Sequence, residues 1–194
     1  MRCITVAECE SLFGASGFRV SLEHSWYRAA LYLERGIAAK QTRLGCRPCS
    51  DSSSLCRFAD ELNRWLPPNK HRLLWIDHWD SDYPNTLEAV LAVRRGMGDT
   101  RSLSEAPGHY FDPHPFDKWD QLAMSQQHLS EVSLLVGLLV LLMVNSWDGW
   151  LLAEDSVDRI EFWEGNIFFH SEDQSRIQQA NATIDTYACS RELQ

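Results

Sequence analysis

Residues 147–170 read WDGWLLAEDSVDRIEFWEGNIFFH, and this stretch decides the fold class. Trp147-Asp148-Gly149-Trp150 predicts a turn into a short strand that runs to Ala153. Asp158–Trp163 and Ile167–His170 predict the arms of a β-hairpin around Gly165-Asn166, a favoured two-residue loop. In that register Phe162 faces Phe169 and Glu161 faces His170. Trp163 and Phe168 then share one face, and Ile160, Phe162 and Phe169 share the other. Short turns join the strands here, whereas helices separate the elements earlier in the chain. That contrast points to an α+β domain.

Working outward, His71–Trp79 (HRLLWIDHW) predicts the first strand. Its continuous run Leu73-Leu74-Trp75-Ile76 suits a central position in the sheet. Helical spacing of Leu22, Trp26, Ala29, Ala30, Leu33 and Ile37 predicts a helix over 21–44 that stops at Gly45. Residues 45–54 read as a loop, and 55–66 as a second helix ended by Pro67-Pro68. Residues 86–95 predict a short helix, and 174–187 another. A long helix over 118–144 starts at the cap Asp117. It is amphipathic at first and apolar all round in its second half, the pattern of a helix entering the core. Residues 99–116 show no period, and a loop of that length is usually functional or mobile. The expected architecture is α+β: one mixed or antiparallel sheet of about four strands packed on helices, with an N-terminal helical segment. By segment, 1–66 is the helical part and 67–194 the α+β core.

Composition narrows the class of function. With 44% hydrophobic and 23% charged residues in 194, the chain has ample apolar surface for a core, which excludes wholesale disorder and fibrous architectures. The net charge of −9 is uneven. Residues 1–75 carry 11 basic against 7 acidic side chains, a balance of +4; residues 76–194 carry 7 against 20, a balance of −13. Such a charge disfavours nucleic acid as a partner and suits either a solubilising surface or a face that meets a basic protein. The first ten residues lack an apolar signal core. The longest apolar run, Leu134–Val144, is shorter than the roughly 20 residues that a membrane span needs. The expectation is a cytoplasmic protein without membrane association, whose six cysteines are reduced thiols.

Four features are candidate sites. Asp77, Trp79, Asp80, Asp82 and Tyr83 lie at and beyond the end of the 71–79 strand, where open sheets often bind. They offer carboxylates and aromatic anchors for a partner, or simply a polar strand end. His109, Asp112 and His114, in GHYFDPHPFD, carry the donor types of an open zinc or iron site that would activate water. Their spacing presets no ligand geometry, and a polar surface loop is the plainer reading. Cys46-x-x-Cys49 with Cys56 lacks an evident fourth ligand for structural zinc and reads more simply as loop thiols. Eight tryptophans exceed what one core needs, so an uncovered sheet face would expose aromatics for an interface. No nucleotide-binding, nucleophile-elbow or zincin motif occurs, which favours binding over catalysis.

Asn145-Ser146-Trp147-Asp148-Gly149-Trp150-Leu151-Leu152, followed by Glu161-Phe162-Trp163-Glu164-Gly165-Asn166-Ile167-Phe168-Phe169-His170-Ser171, resembles the C-terminal strands of small bacterial proteins of the toxin-immunity kind. The GHYF stretch ahead of an apolar helix adds to the likeness, which covers residues 70–172 and not the first 60. It carries over no site residue. It implies an acidic decoy that blocks a toxin enzyme by steric and charge complementarity. The resulting expectation is an acidic inhibitor of a basic protein partner, needing no cofactor. The alternatives are a metal-dependent hydrolase using His109, Asp112 and His114, and a scaffold subunit.

Overall fold

A computed structural model describes residues 1–21, 30–77, 84–102, 105–112, 126–187 and 190–191; the side chains of 84–87 and 126–130 fall outside that description. The strands are β1 (Arg2–Ile4), β2 (Phe18–Ser21), β3 (Ala30–Leu33), β4 (Thr42–Arg47), β5 (Arg72–Ile76), β6 (Gly108–Phe111), β7 (Gly149–Ala153), β8 (Arg159–Trp163), β9 (Asn166–Ser171) and β10 (Ser190–Arg191). The helices are α1 (Val6–Phe13), α2 (Arg35–Ala38), α3 (Ser52–Trp65), α4 (Pro84–Gly96), α5 (Gln126–Val144) and α6 (Gln174–Thr186). Eight strands form one sheet in the order β1-β6-β5-β7-β8-β9-β4-β10, and β2 pairs with β3 in a separate ribbon. Each described pairing is antiparallel.

The α+β class holds, but the expected sheet of about four strands is corrected to eight, with a second two-stranded sheet beside it. The expected helix over 21–44 is also corrected: its described residues form the end of β2, β3, the single turn α2 and the start of β4. In β3, Leu31 and Leu33 are buried while Tyr32 is exposed. In β4, Leu44 and Cys46 face the helices while Arg43 and Arg47 point away. Two-residue alternation at these positions beats the helical spacing, because a strand buries every second side chain. β1 and β6 were hidden by brevity: three and four residues are too few to show a period.

The hairpin that set the fold class forms one loop position earlier than expected. Glu164 (φ 49°) and Gly165 (φ 76°) close it between the paired Trp163 and Asn166. Two left-handed residues in succession make the turn whose twist matches flanking strands. Phe162 therefore faces Ile167, and Glu161 faces Phe168. A shift of two residues preserves the faces, so the division of aromatics read from the sequence stands.

The sheet divides two cores. On one face α3, α5 and α6 pack over Leu74, Ile76, Leu151, Ile160, Ile167 and Phe169. Helix α3 shows why. Asp51 caps it by accepting from the Ser54 N–H at 2.9 Å, and Leu55, Phe58, Ala59, Leu62 and Trp65 repeat at helical spacing on its buried face. Burying each of the larger ones contributes about 1.5–3 kcal/mol. The Trp65 indole donates to the Arg176 carbonyl at 2.8 Å, tying α3 to α6. On the other face α1 and the β2–β3 ribbon cover Ile4, Leu73, Trp75, Tyr110 and Leu152. Helix α1 is fixed by a capping box in which Thr5 Oγ1 accepts from Glu8 N–H and Glu8 Oε2 from Thr5 N–H.

Candidate functional site

The ribbon covers only part of that second face. Where its β3 edge stands beside β7 and β8, a cleft of about 400 Å³ opens. Ser21, Ala30, Leu31 and Tyr32 form the ribbon side; Asp77, Trp150, Glu161, Phe162 and Trp163 form the sheet side. Among the described residues the exposed large hydrophobic side chains are Tyr32 (47% exposed), Trp163 (41%) and Val144 at the end of α5; the two aromatic ones both border this cleft.

Asp77 directly follows β5 and is only 7% exposed. Its Oδ1 accepts from the Leu31 N–H at 2.9 Å, and the Trp75 and Trp150 side chains also hydrogen-bond the carboxyl. One carboxyl thus pins the ribbon to the sheet. Burial pushes its pKa up to about 8, against the opposing pull of these donors, and the neighbouring Asp148 adds to the rise. Asp148 in turn accepts from the Glu164 N–H at 2.8 Å, so the hairpin turn is anchored beneath the same corner.

Beside the cleft, alternation on β4, β8 and β9 places Arg43, Arg159, Glu161 and His170 on one face. His170 Nε2 lies 2.8 Å from Glu161 Oε2, and Arg159 Nη2 lies 3.4 Å from His170 Nδ1. These partners assign a neutral imidazole that donates from Nε2 and accepts at Nδ1. Burial lowers the His170 pKa, opposed by its bond to Glu161. Burial works to raise Glu161, but the His170 hydrogen bond and the charges of Arg43 and Arg159 hold it below its ordinary value. Arg43 also lies 3.4 Å above the Phe168 ring, and Arg159 5.5 Å from the Trp150 ring. The arrangement is a hydrogen-bonded, charged platform with an aromatic-rimmed recess at its side.

Of the residues singled out from the sequence as a partner surface, Asp77 forms the cleft floor and not an outer face. Trp79, Asp80, Asp82 and Tyr83 lie outside the described residues. Of the metal candidates, His109 is fully buried in β6, with Nδ1 3.3 Å from the Leu74 carbonyl, so its Nε2 carries the free lone pair. Burial drives its pKa down to about 3. Asp112 is exposed just past β6, where its N–H donates to Glu131, and His114 lies outside the described residues. Cys46 is buried in β4, the Cys49 thiol donates to the Tyr187 carbonyl, and Cys56 is exposed on α3. Among the described residues no group of three or more His, Cys, Asp or Glu is placed to hold a metal ion. No described helix is long and apolar enough to cross a membrane.

Tyr32, Trp150 and Glu161 were missed as site residues. Strand alternation in ALYL, residues 30–33, was the signal for Tyr32. No family model matches the chain, and no similar curated protein or solved structure is found.

Proposed function

We propose that this protein is a binding protein of the immunity or inhibitor type, which covers a basic protein partner in the cytoplasm. One observation carries the reading: Tyr32 and Trp163, both exposed aromatics, border a single recess that contains Asp77 and Glu161. Aromatic anchors around a concave centre are the usual hot spot of a protein interface. The −13 balance after residue 75 supports a basic partner, because charge of one sign steers the encounter and rejects like-charged competitors. Trp79, Asp80, Asp82 and Tyr83 follow Asp77 in the sequence and add two aromatic and two acidic side chains of the kind this proposal calls for. Inhibition is by occlusion, requiring no catalytic group or cofactor.

A tagged pull-down from host lysate, eluted at rising salt and read by mass spectrometry, tests it. The expected result is one basic protein released by salt from the wild type and retained far less by Trp163→Ala or Tyr32→Ala. Each lost anchor should cost about 2 kcal/mol of binding. No partner at any salt, or equal retention by both variants, would sink the proposal.

A further inference from the structure

Resting on that reading, we propose that the cleft between the β2–β3 ribbon and β7–β8 is a socket for one positively charged side chain of the partner, which enters past Tyr32 and Trp163 toward Asp77. Four observations converge on this. The first is size: at about 400 Å³ the recess stands near the small end of ligand pockets, suited to one long side chain and not to a helix. The second is the chemistry of the wall. Among the described residues no Lys, Arg or His lines the recess, and its acidic side chains are those of Asp77 and Glu161. An anion entering would meet two acids, and a purely apolar group would leave Asp77 without a charged partner. The third is the aromatic content: Tyr32, Trp150 and Trp163 all line the recess, and aromatic rings attract a cation, most strongly when water is displaced.

The fourth observation separates the two acids. Glu161 already has Arg43 at 3.4 Å and His170 at 2.8 Å. Asp77 is held by N–H donors alone and has no cationic partner among the described residues. Burial keeps this carboxyl protonated while the recess holds no cation; an ammonium or guanidinium head entering beside it favours the ionised form, whose proton leaves to solvent, and so completes a charge-assisted pair.

The test uses small probes on the intact protein, independent of any partner: N-acetyl-argininamide and N-acetyl-lysinamide, with the neutral N-acetyl-citrullinamide as control. Binding is read from the indole N–H resonances of Trp150 and Trp163. Both cationic probes should shift these resonances saturably at millimolar concentration, and citrullinamide should not. Trp163→Ala should weaken the cationic probes about tenfold, the scale of a cation–π contact in a partly desolvated site, and Asp77→Asn should weaken them at least as much through loss of the charge-assisted hydrogen bond. Should Asp77→Asn fail to fold, Trp163→Ala and Tyr32→Ala decide, because both sites are exposed. Equal binding of citrullinamide, or cationic probes that leave the indoles unmoved, would overturn the socket. Failure of the socket alone leaves the lysate partner bound to the wild type, whereas failure of the inhibitor reading leaves probe binding intact with no partner captured.

Discussion

Replacing Asp77 by Asn should remove one proton's worth of slope from the pH dependence of stability. The buried carboxyl titrates near 8 in the fold and at 3.8 when released, so between these values the folded chain holds a proton that the unfolded chain has lost. Unfolding then becomes easier as pH rises, by at most about 1.4 kcal/mol per pH unit. From the unfolded value to pH 7 that approaches 4 kcal/mol, an upper bound set by full retention of the proton. The groups around Asp77 are Asp148, which raises its pKa further, and the N–H donors of Leu31, Trp75 and Trp150, which lower it. Asn keeps an oxygen for the Leu31 N–H and introduces a constant offset, not a slope. Urea unfolding of both proteins from pH 4.5 to 8 gives the assay, and subtracting the variant from the wild type cancels the other titrating groups. The expected difference falls steadily with pH. A flat or rising difference would refute the reasoning: the three donors would then outweigh burial, and the carboxyl would be ionised throughout.

Three further outcomes follow from the geometry. Gly149→Ala should cost about 3 kcal/mol or more in urea unfolding, because the new Cβ would sit 2.3 Å from the Trp75 carbonyl oxygen and 3.1 Å from Ile76 Cα, with only strand separation to relieve it. Glu164→Asn should stabilise by about 1 kcal/mol, since Asn tolerates the left-handed backbone (φ 49°) that Glu now adopts at the hairpin turn; calorimetry should show a melting temperature higher by about 3 °C. Asp51→Ala should remove the cap of α3 and cost about 1 kcal/mol, read by circular dichroism during thermal melting.

What could be read from the sequence was whatever repeats often enough to show a period. The helices α3, α5 and α6 carry many residues of pattern, and β5 announces itself as an unbroken apolar run. The hairpin was legible in kind and in faces, though its turn lay at Glu164-Gly165 instead of Gly165-Asn166. Strands β1, β6 and β10 are two to four residues long and owe their form to their neighbours, not to local preference. β4 was concealed by Leu44, which continued the helical spacing of 22–37, and by Gly45, which imitated a helix stop. The site was legible only at Asp77 and in the suspicion of an uncovered aromatic face. That Tyr32 would meet Trp163 depends on where the ribbon lands on the sheet, and the latch from Leu31 to Asp77 spans 46 positions of chain.

The placement of β4 also bears on how the molecule is born. Among the described residues its neighbours in the sheet are β9 and β10. Arg47, at the end of β4, and its partner Asn166, at the start of β9, are separated by 119 positions. On a translating ribosome β4 therefore emerges long before β9 exists to receive it, with both hydrogen-bonding edges open. Loop closure over such a length is slow, and an unpaired strand invites wrong partners while it waits. Arg43 and Arg47 on its solvent-facing side discourage stacking with other nascent chains during that interval. The native sheet is completed only when the last third of the chain arrives, so this protein should refold from dilution more cleanly than it matures at high rates of synthesis.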